Sequence, residues 1–244
     1  MKTLALASSL ALIAACNTDH SSNITQDEYD AAAQSVGSST ASGGGGGDTG
    51  AMADVVAIAK GDMPLGFTVD ASGNITGSHL GVTYSYTLTC KDAAGTTLAV
   101  CGSTTDSANA TLMWSGMLSL PNFTTSVTRD GSWSIAGLQS ATAQFDGTGT
   151  FTYDSAIANP DASYHFAYDA TYDAVLVDTS TELATGGTIH YAIDATRSAN
   201  GSDEQSFSLD ADVTINGNSS ATIVLDGSHE YTLNLMTGVV VRVN

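Results

Sequence analysis

The side chains best suited to chemistry lie in the later part of the chain. His165, Asp169 and Asp173 recur every fourth residue, and so do His190 and Asp194; Asp210 and Asp212 follow. If each set sits on the wet face of a strand and the strands are neighbours, imidazoles and carboxylates converge. That donor mixture suits zinc, manganese or calcium. His165, Asp169, His190 and Asp194 are therefore the candidate metal residues. Their spacing matches no known ligand motif, and a solvated acidic face with unrelated histidines is the plainer account. Ser228, His229 and Glu230 place three triad types in a row, but neighbours in a strand point to opposite faces and cannot form a relay. The sequence has no Gly-x-Ser-x-Gly elbow, phosphate loop or dinucleotide fingerprint. A glycosidase needs two carboxylates across a cleft, and nothing pairs any two of the aspartates. No catalytic residue is assigned, and no cofactor is implied.

Tyr153, Tyr164, Phe166, Tyr168, Tyr172 and Tyr191 concentrate in the middle of the chain. They are expected to fill a core, or else to line an aromatic groove. Trp114 and Trp133 fit the core reading.

These residues must be positioned by strands. Between 164 and 172 the even positions are mostly apolar or aromatic and the odd ones mostly polar. Ile189, Tyr191, Ile193 and Ala195 alternate with polar neighbours, as do Phe207, Leu209, Ala211, Val213 and Ile215. Tyr231, Leu233 and Leu235 continue the pattern. Period two with one dry and one wet face marks antiparallel sheets. Further strands are predicted at 82–92, 98–104, 110–119, 142–153 and 221–226. The fold class is all-β, an antiparallel up-and-down meander of about a dozen strands. It must curl into a barrel, half-barrel or sandwich.

Register follows from keeping apolar positions opposite one another. Val69 then faces Ile75 across Ala71-Ser72-Gly73, Val127 faces Trp133 across Arg129-Asp130-Gly131, and Leu233 faces Val241 across Met236-Thr237-Gly238. Each is a three-residue loop ending in glycine, where a left-handed residue is needed. The same logic sets Cys90 opposite Cys101, with Ala94 to Thr97 as the loop. One such pair in a secreted chain reads as a disulfide, stabilising by about 3 kcal/mol.

The strands are preceded by one or two short helices. Thr25 and Glu28 form a Thr-x-x-Glu capping box, Tyr29, Ala32, Ala33 and Val36 line one face, and Gly37 ends the helix near 26–36. So short a helix is expected to dock on the main domain or a partner. Residues 37–50, with the run Gly43 to Gly47, read as a flexible linker. Met52, Val55, Val56 and Ala59 then show helical spacing, ended by Gly61.

The amino terminus carries an address. Lys2 is basic, Leu4 to Ala15 form a mainly apolar region too short to span a bilayer, and it ends in Ile13-Ala14-Ala15-Cys16. This run resembles the lipobox of bacterial lipoproteins. The resemblance covers residues 1–16 and implies cleavage before Cys16 and a diacylglyceryl thioether on its sulfur. The lipid bilayer, reached through acylated Cys16, is then the expected partner. Asn17, where aspartate would retain a lipoprotein at the inner membrane, implies the outer membrane. The organisation predicted is a signal peptide over 1–15, a lipidated tether over 16–50 and a β-domain over 51–244.

Charge narrows the function. With 25 acidic and 6 basic residues the net charge is −19, which repels phosphate backbones and excludes nucleic acid as a partner. The expectation is an envelope lipoprotein with a non-enzymatic structural or binding β-domain. A half-barrel carrying an acyl chain is the alternative, and it requires an apolar cavity. A metal-dependent enzyme would need the His/Asp face. A transmembrane barrel shares the alternation but would need longer strands than the pattern suggests.

Overall fold

The computed structural model describes residues 24–42, 47–79, 81–120, 123–157, 162–199 and 203–243. Cys16 and the rest of the lipobox lie outside them. Two helices, α1 (Gln26–Thr40) and α2 (Asp48–Lys60), precede twelve strands. These are β1 (Phe67–Val69), β2 (Ile75–His79), β3 (Val82–Lys91), β4 (Ser107–Leu120), β5 (Phe123–Ala136), β6 (Thr142–Ile157), β7 (Ala162–Asp178), β8 (Ala184–Ala199), β9 (Gln205–Gly217), β10 (Ser220–Leu225), β11 (His229–Asn234) and β12 (Val240–Arg242). Each strand pairs antiparallel with the next in one sheet. The meander is as expected. Among the described residues no ladder joins β1 to β12, so the sheet is curled but open. It is not the closed ladder of a membrane-spanning barrel.

The alternation works as the sequence implies. Phe207, Leu209, Ala211, Val213 and Ile215 are buried while the residues between them are exposed. The central strands are longer than expected, 17 residues in β7 and 16 in β6 and β8. Register shifts near Asp173 and Phe145 bend them, because a bulge increases local twist.

The dry face curls around the helices. α2 meets β3, while α1 meets β10, β11 and β12. Both helices contribute to the same core as the sheet: Ala32, Val36, Met52, Val55 and Val56 are fully buried. The boundary drawn at residue 51 therefore falls inside α2, and the linker shrinks to the short stretch between the helices. The capping box is formed, with Thr25 N donating to Glu28 Oε2 at 2.7 Å. Gly37 does not end α1. The helix runs on to Thr40, and the glycine instead gives Val240 of β12 room to approach; a Cβ there would lie 2.3 Å from Val240 Cγ2. Gly61, in the left-handed region, does end α2.

Four further expectations are corrected. Arg129-Asp130-Gly131 is no turn, because β5 runs straight through it. The period-two pattern of Val127, Arg129, Gly131, Trp133 and Ile135 is unbroken, with arginine at a dry position. Leu233 pairs with Val240 rather than Val241. The loop has four residues because Asn234 Oδ1 accepts hydrogen bonds from Met236 N and Thr237 N and starts the turn earlier. Cys90 lies opposite Leu98, whose amide donates to its carbonyl at 2.8 Å. Asp92 Oδ1 accepts from Ala94 N and Thr96 N, and that pulls the turn toward the amino terminus of the expected loop. Residues 98–104 form no strand. The Cys90–Cys101 disulfide forms all the same, at a Cα separation of 5.4 Å. The loop at 71–73 is as expected, with Val69 opposite Ile75.

Candidate binding trough

Two groups of polar side chains stand out, one on each face of the sheet. On the dry face Arg129 is wholly buried and forms an ion pair with Asp48, the first residue of α2, which is also wholly buried. Tyr172 and Tyr191 hydroxyls each donate to Asp48 Oδ2 at 2.8 Å. The guanidinium lies 5.0–5.6 Å from the ring centroids of Phe151, Trp114 and Tyr172. Such ring faces attract a cation without hydrogen-bonding it. Room for the guanidinium comes from Gly149, where a Cβ would stand 3.3 Å from Arg129 Nη2. Burial pushes the Asp48 carboxyl well above the usual carboxylate range, and the Tyr191 hydroxyl opposes that shift. Burial likewise pushes the Arg129 guanidinium down to about 10.

The other dry-face tyrosines behave alike. Tyr86 donates to Asp54 at 3.1 Å and Tyr231 to Asp30 at 2.8 Å, while Tyr168 meets Ser35 and Tyr191 meets Thr40. Each of these hydroxyls, like that of Tyr172, reaches a polar group on α1 or α2. The aromatic residues singled out by the sequence are thus core. The helix pair fills the side on which a groove was the other expectation.

The wet face carries the open space. One hollow, of about 420 Å³, is lined by Thr128, Asp130, Thr150, Asp169, Asp194 and Asp210 among others. A second, of about 540 Å³, adjoins it and shares Asp130, Thr150 and Asp169. Register explains the arrangement. Asp130, Thr150 and Asp169 are direct cross-strand neighbours on β5, β6 and β7. A second row runs Ser132, Thr148, Thr171, His190 and Asp212. Neighbouring side chains in such rows stand about 5 Å apart. Asp194 accepts from Ser208 at 2.6 Å, and Asp226 accepts from Tyr29 at 2.8 Å. The carboxylates of Asp130 and Asp169 make no hydrogen bond or ion pair among the described residues. The trough is therefore rich in acceptors, and among the described residues it holds no basic side chain other than the neighbouring His190.

The candidate metal residues are on this face but do not come together. Their strands do neighbour one another, as the metal reading requires. Yet His165 lies opposite Thr196, Asp169 opposite Ala192, Asp194 opposite Ala167 and His190 opposite Thr171. Residues four apart on one strand are separated by about 13 Å. Among the described residues no three His, Cys, Asp or Glu side chains are grouped to hold a metal ion. Each histidine has a carboxylate instead: His165 Nδ1 contacts Asp154, and His190 Nδ1 donates to Asp212 at 2.9 Å. The contact with His165 holds the Asp154 carboxyl below its ordinary range.

Ser126 completes a second grouping of triad types, since its hydroxyl donates to Asp154 Oδ2 at 3.0 Å. The carboxylate lies between serine and imidazole, so the imidazole is not placed to take the hydroxyl proton, as a nucleophilic serine requires. His229 is stacked on Tyr29 at 3.7 Å between ring centroids. The sequence reading missed Asp48 and Arg129, the most buried charges of the described chain. Its only signal for them was the uninterrupted alternation through Arg129.

Comparison with protein-family models, with curated proteins and with solved structures found no match.

Proposed function

We propose that this chain is a lipid-anchored protein of the bacterial cell envelope, acylated at Cys16, with a non-enzymatic binding or structural β-domain. The run Ile13-Ala14-Ala15-Cys16 behind a basic, apolar leader carries the reading. The Cys90–Cys101 disulfide supports it, since such bonds persist in oxidising compartments outside the cytosol. Asn17 favours the outer membrane over the inner.

The trough on the wet face is where such a domain would meet a ligand. Its carboxylates and threonine hydroxyls accept hydrogen bonds and repel anions, so neutral or cationic ligands fit and phosphate-rich ones do not. Among the described residues no side-chain grouping there has the order of a nucleophile, base and acid. The acyl-carrier alternative requires a hollow on the dry side, which α1, α2 and the tyrosine rings occupy, and it is not proposed.

Mass analysis of the mature amino-terminal peptide tests the anchor. Diacylglyceryl modification at Cys16, lost with its membrane association in Cys16→Ser, is the expected result. An unmodified, fully soluble native chain ends the reading.

A further inference from the structure

The buried charges of the dry face are divided unequally between sheet and helix. The groups that hold the Asp48 carboxylate belong to the sheet: Arg129 on β5, Tyr172 on β7 and Tyr191 on β8. To this contact α2 brings the carboxylate alone. Both tyrosine hydroxyls donate to Oδ2, at 2.8 Å, and the guanidinium meets Oδ1. Each oxygen has its own donors, which is how a planar carboxylate is recognised.

Register shows how the sheet makes room for this. Arg129 has Trp114 and Phe151 as direct cross-strand neighbours, two rings that wall its sides. The next dry row runs Gly131, Gly149, Ala170 and Tyr191. Two glycines and an alanine form a notch beside the rings, and the guanidinium lies against it at Gly149. α2 enters the notch with its first residue, at the helix end whose unpaired amides favour an anion, and Gly47 before it supplies no side-chain cap. The sheet also offers more donors than Asp48 takes up. Arg129 Nε and Nη2 and the Trp114 indole N–H are buried and have no acceptor among the described residues.

We propose that this box is a carboxylate-binding site of the sheet, and that Asp48 is the ligand the chain supplies to it in cis. The helix pair is then seated by recognition of one leading carboxylate as well as by its apolar stripe. Without a carboxylate the buried guanidinium has no counter-charge, so the box selects that chemistry over an uncharged group. The ligand class follows from the walls. It is a small monocarboxylate with no second polar group, because rings flank the guanidinium. Once the covalent link to residue 48 is removed, a one-carbon acid fits best, since any larger one meets the backbone there. The inference concerns the dry face alone and does not depend on acylation of Cys16.

The test uses the full chain with Cys16→Ser and Asp48→Gly, melted at neutral pH in sodium formate and in sodium chloride of equal ionic strength. Formate should raise Tm by about 3–5 °C for each tenfold increase above its dissociation constant. Acetate should do less. Without Asp48→Gly the chain should melt alike in formate and chloride, and so should the Asp48→Gly chain once Arg129→Met is added. If Asp48→Gly prevents folding in chloride, the yield of folded chain on refolding is read instead, and formate should raise it several-fold. Equal melting and equal yield in the two salts overturn the inference. A formate effect that persists with Arg129→Met, or that is as large with Asp48 in place, is a general salt effect and also overturns it.

Discussion

The two faces of this sheet share every strand and every peptide bond, yet obey different physics. On the dry face most polar groups are matched: five tyrosines reach helix side chains, and the arginine meets an aspartate inside a box of rings, while the buried Trp114 and Trp133 indole N–H groups have no hydrogen-bond partner among the described residues. On the wet face the carboxylates of Asp130 and Asp169 stand without partners among the described residues, because water satisfies them. A hydrogen-bonding group out of water must be matched within the protein or it destabilises the fold; one in water need not be. The dry face therefore dictates the tertiary structure, and the wet face is free to serve a ligand.

That contrast is broken most forcefully at the ion pair. Arg129→Met leaves Asp48 buried without its cation and should cost about 3–5 kcal/mol, read from urea unfolding of the Cys16→Ser form. Adding Asp48→Leu should restore most of the loss. If the two losses simply add, the pair is not coupled and the dry face is not governed as described.

Gly37→Ala should come next, at about 1–3 kcal/mol, because the new methyl meets Val240. Val240→Ala in the same chain should relieve it, as a thermal melt would reveal. Tyr191→Phe deprives Asp48 and Thr40 of one hydroxyl and should cost about 1–3 kcal/mol. The same deletion made where a hydroxyl is wet should be nearly silent: Thr148→Val should change stability by no more than about 0.5 kcal/mol. A loss at Thr148 as large as that at Tyr191 would abolish the distinction between the faces.

The smallest effect is on acid. Asp70 and Asp178 are turn carboxylates held below their ordinary range, the first chiefly by the Asn74 side chain and the second chiefly by Ser180. Their folded values are depressed, so their contribution is present above about pH 4, the unfolded value, and is lost as pH falls through the folded ones. Urea midpoints should therefore decline on acidification below that point. Asp70→Ala and Asp178→Ala together should flatten the decline.

Much of the fold was legible in the residues. Alternation around Tyr168, Tyr191 and Leu209 placed the strands and their dry faces, Thr25 and Glu28 marked the start of α1, and Ala71-Ser72-Gly73 marked a hairpin. Legibility failed where one residue type serves two purposes. Arg-Asp-Gly is good turn chemistry and equally a strand in which arginine points inward. Gly37 is a helix stop, or a helix residue that another strand must touch. The run before Asp48 looks like pure linker, and only the folded chain gives that aspartate a buried partner. The metal candidates illustrate the same limit. Period two put His165, Asp169, His190 and Asp194 on one face, but register then separated them.

What the sequence determined alone was the local and the periodic: which residues are extended and which side of each strand is dry. These depend on neighbours within a few residues, and a one-dimensional pattern can hold them. What only the tertiary structure decided was which way the sheet curls, what fills its dry side and how Asp48 finds Arg129. Those contacts join residues remote in the chain, and their free energies exist only once burial has removed the water that would otherwise satisfy each group separately.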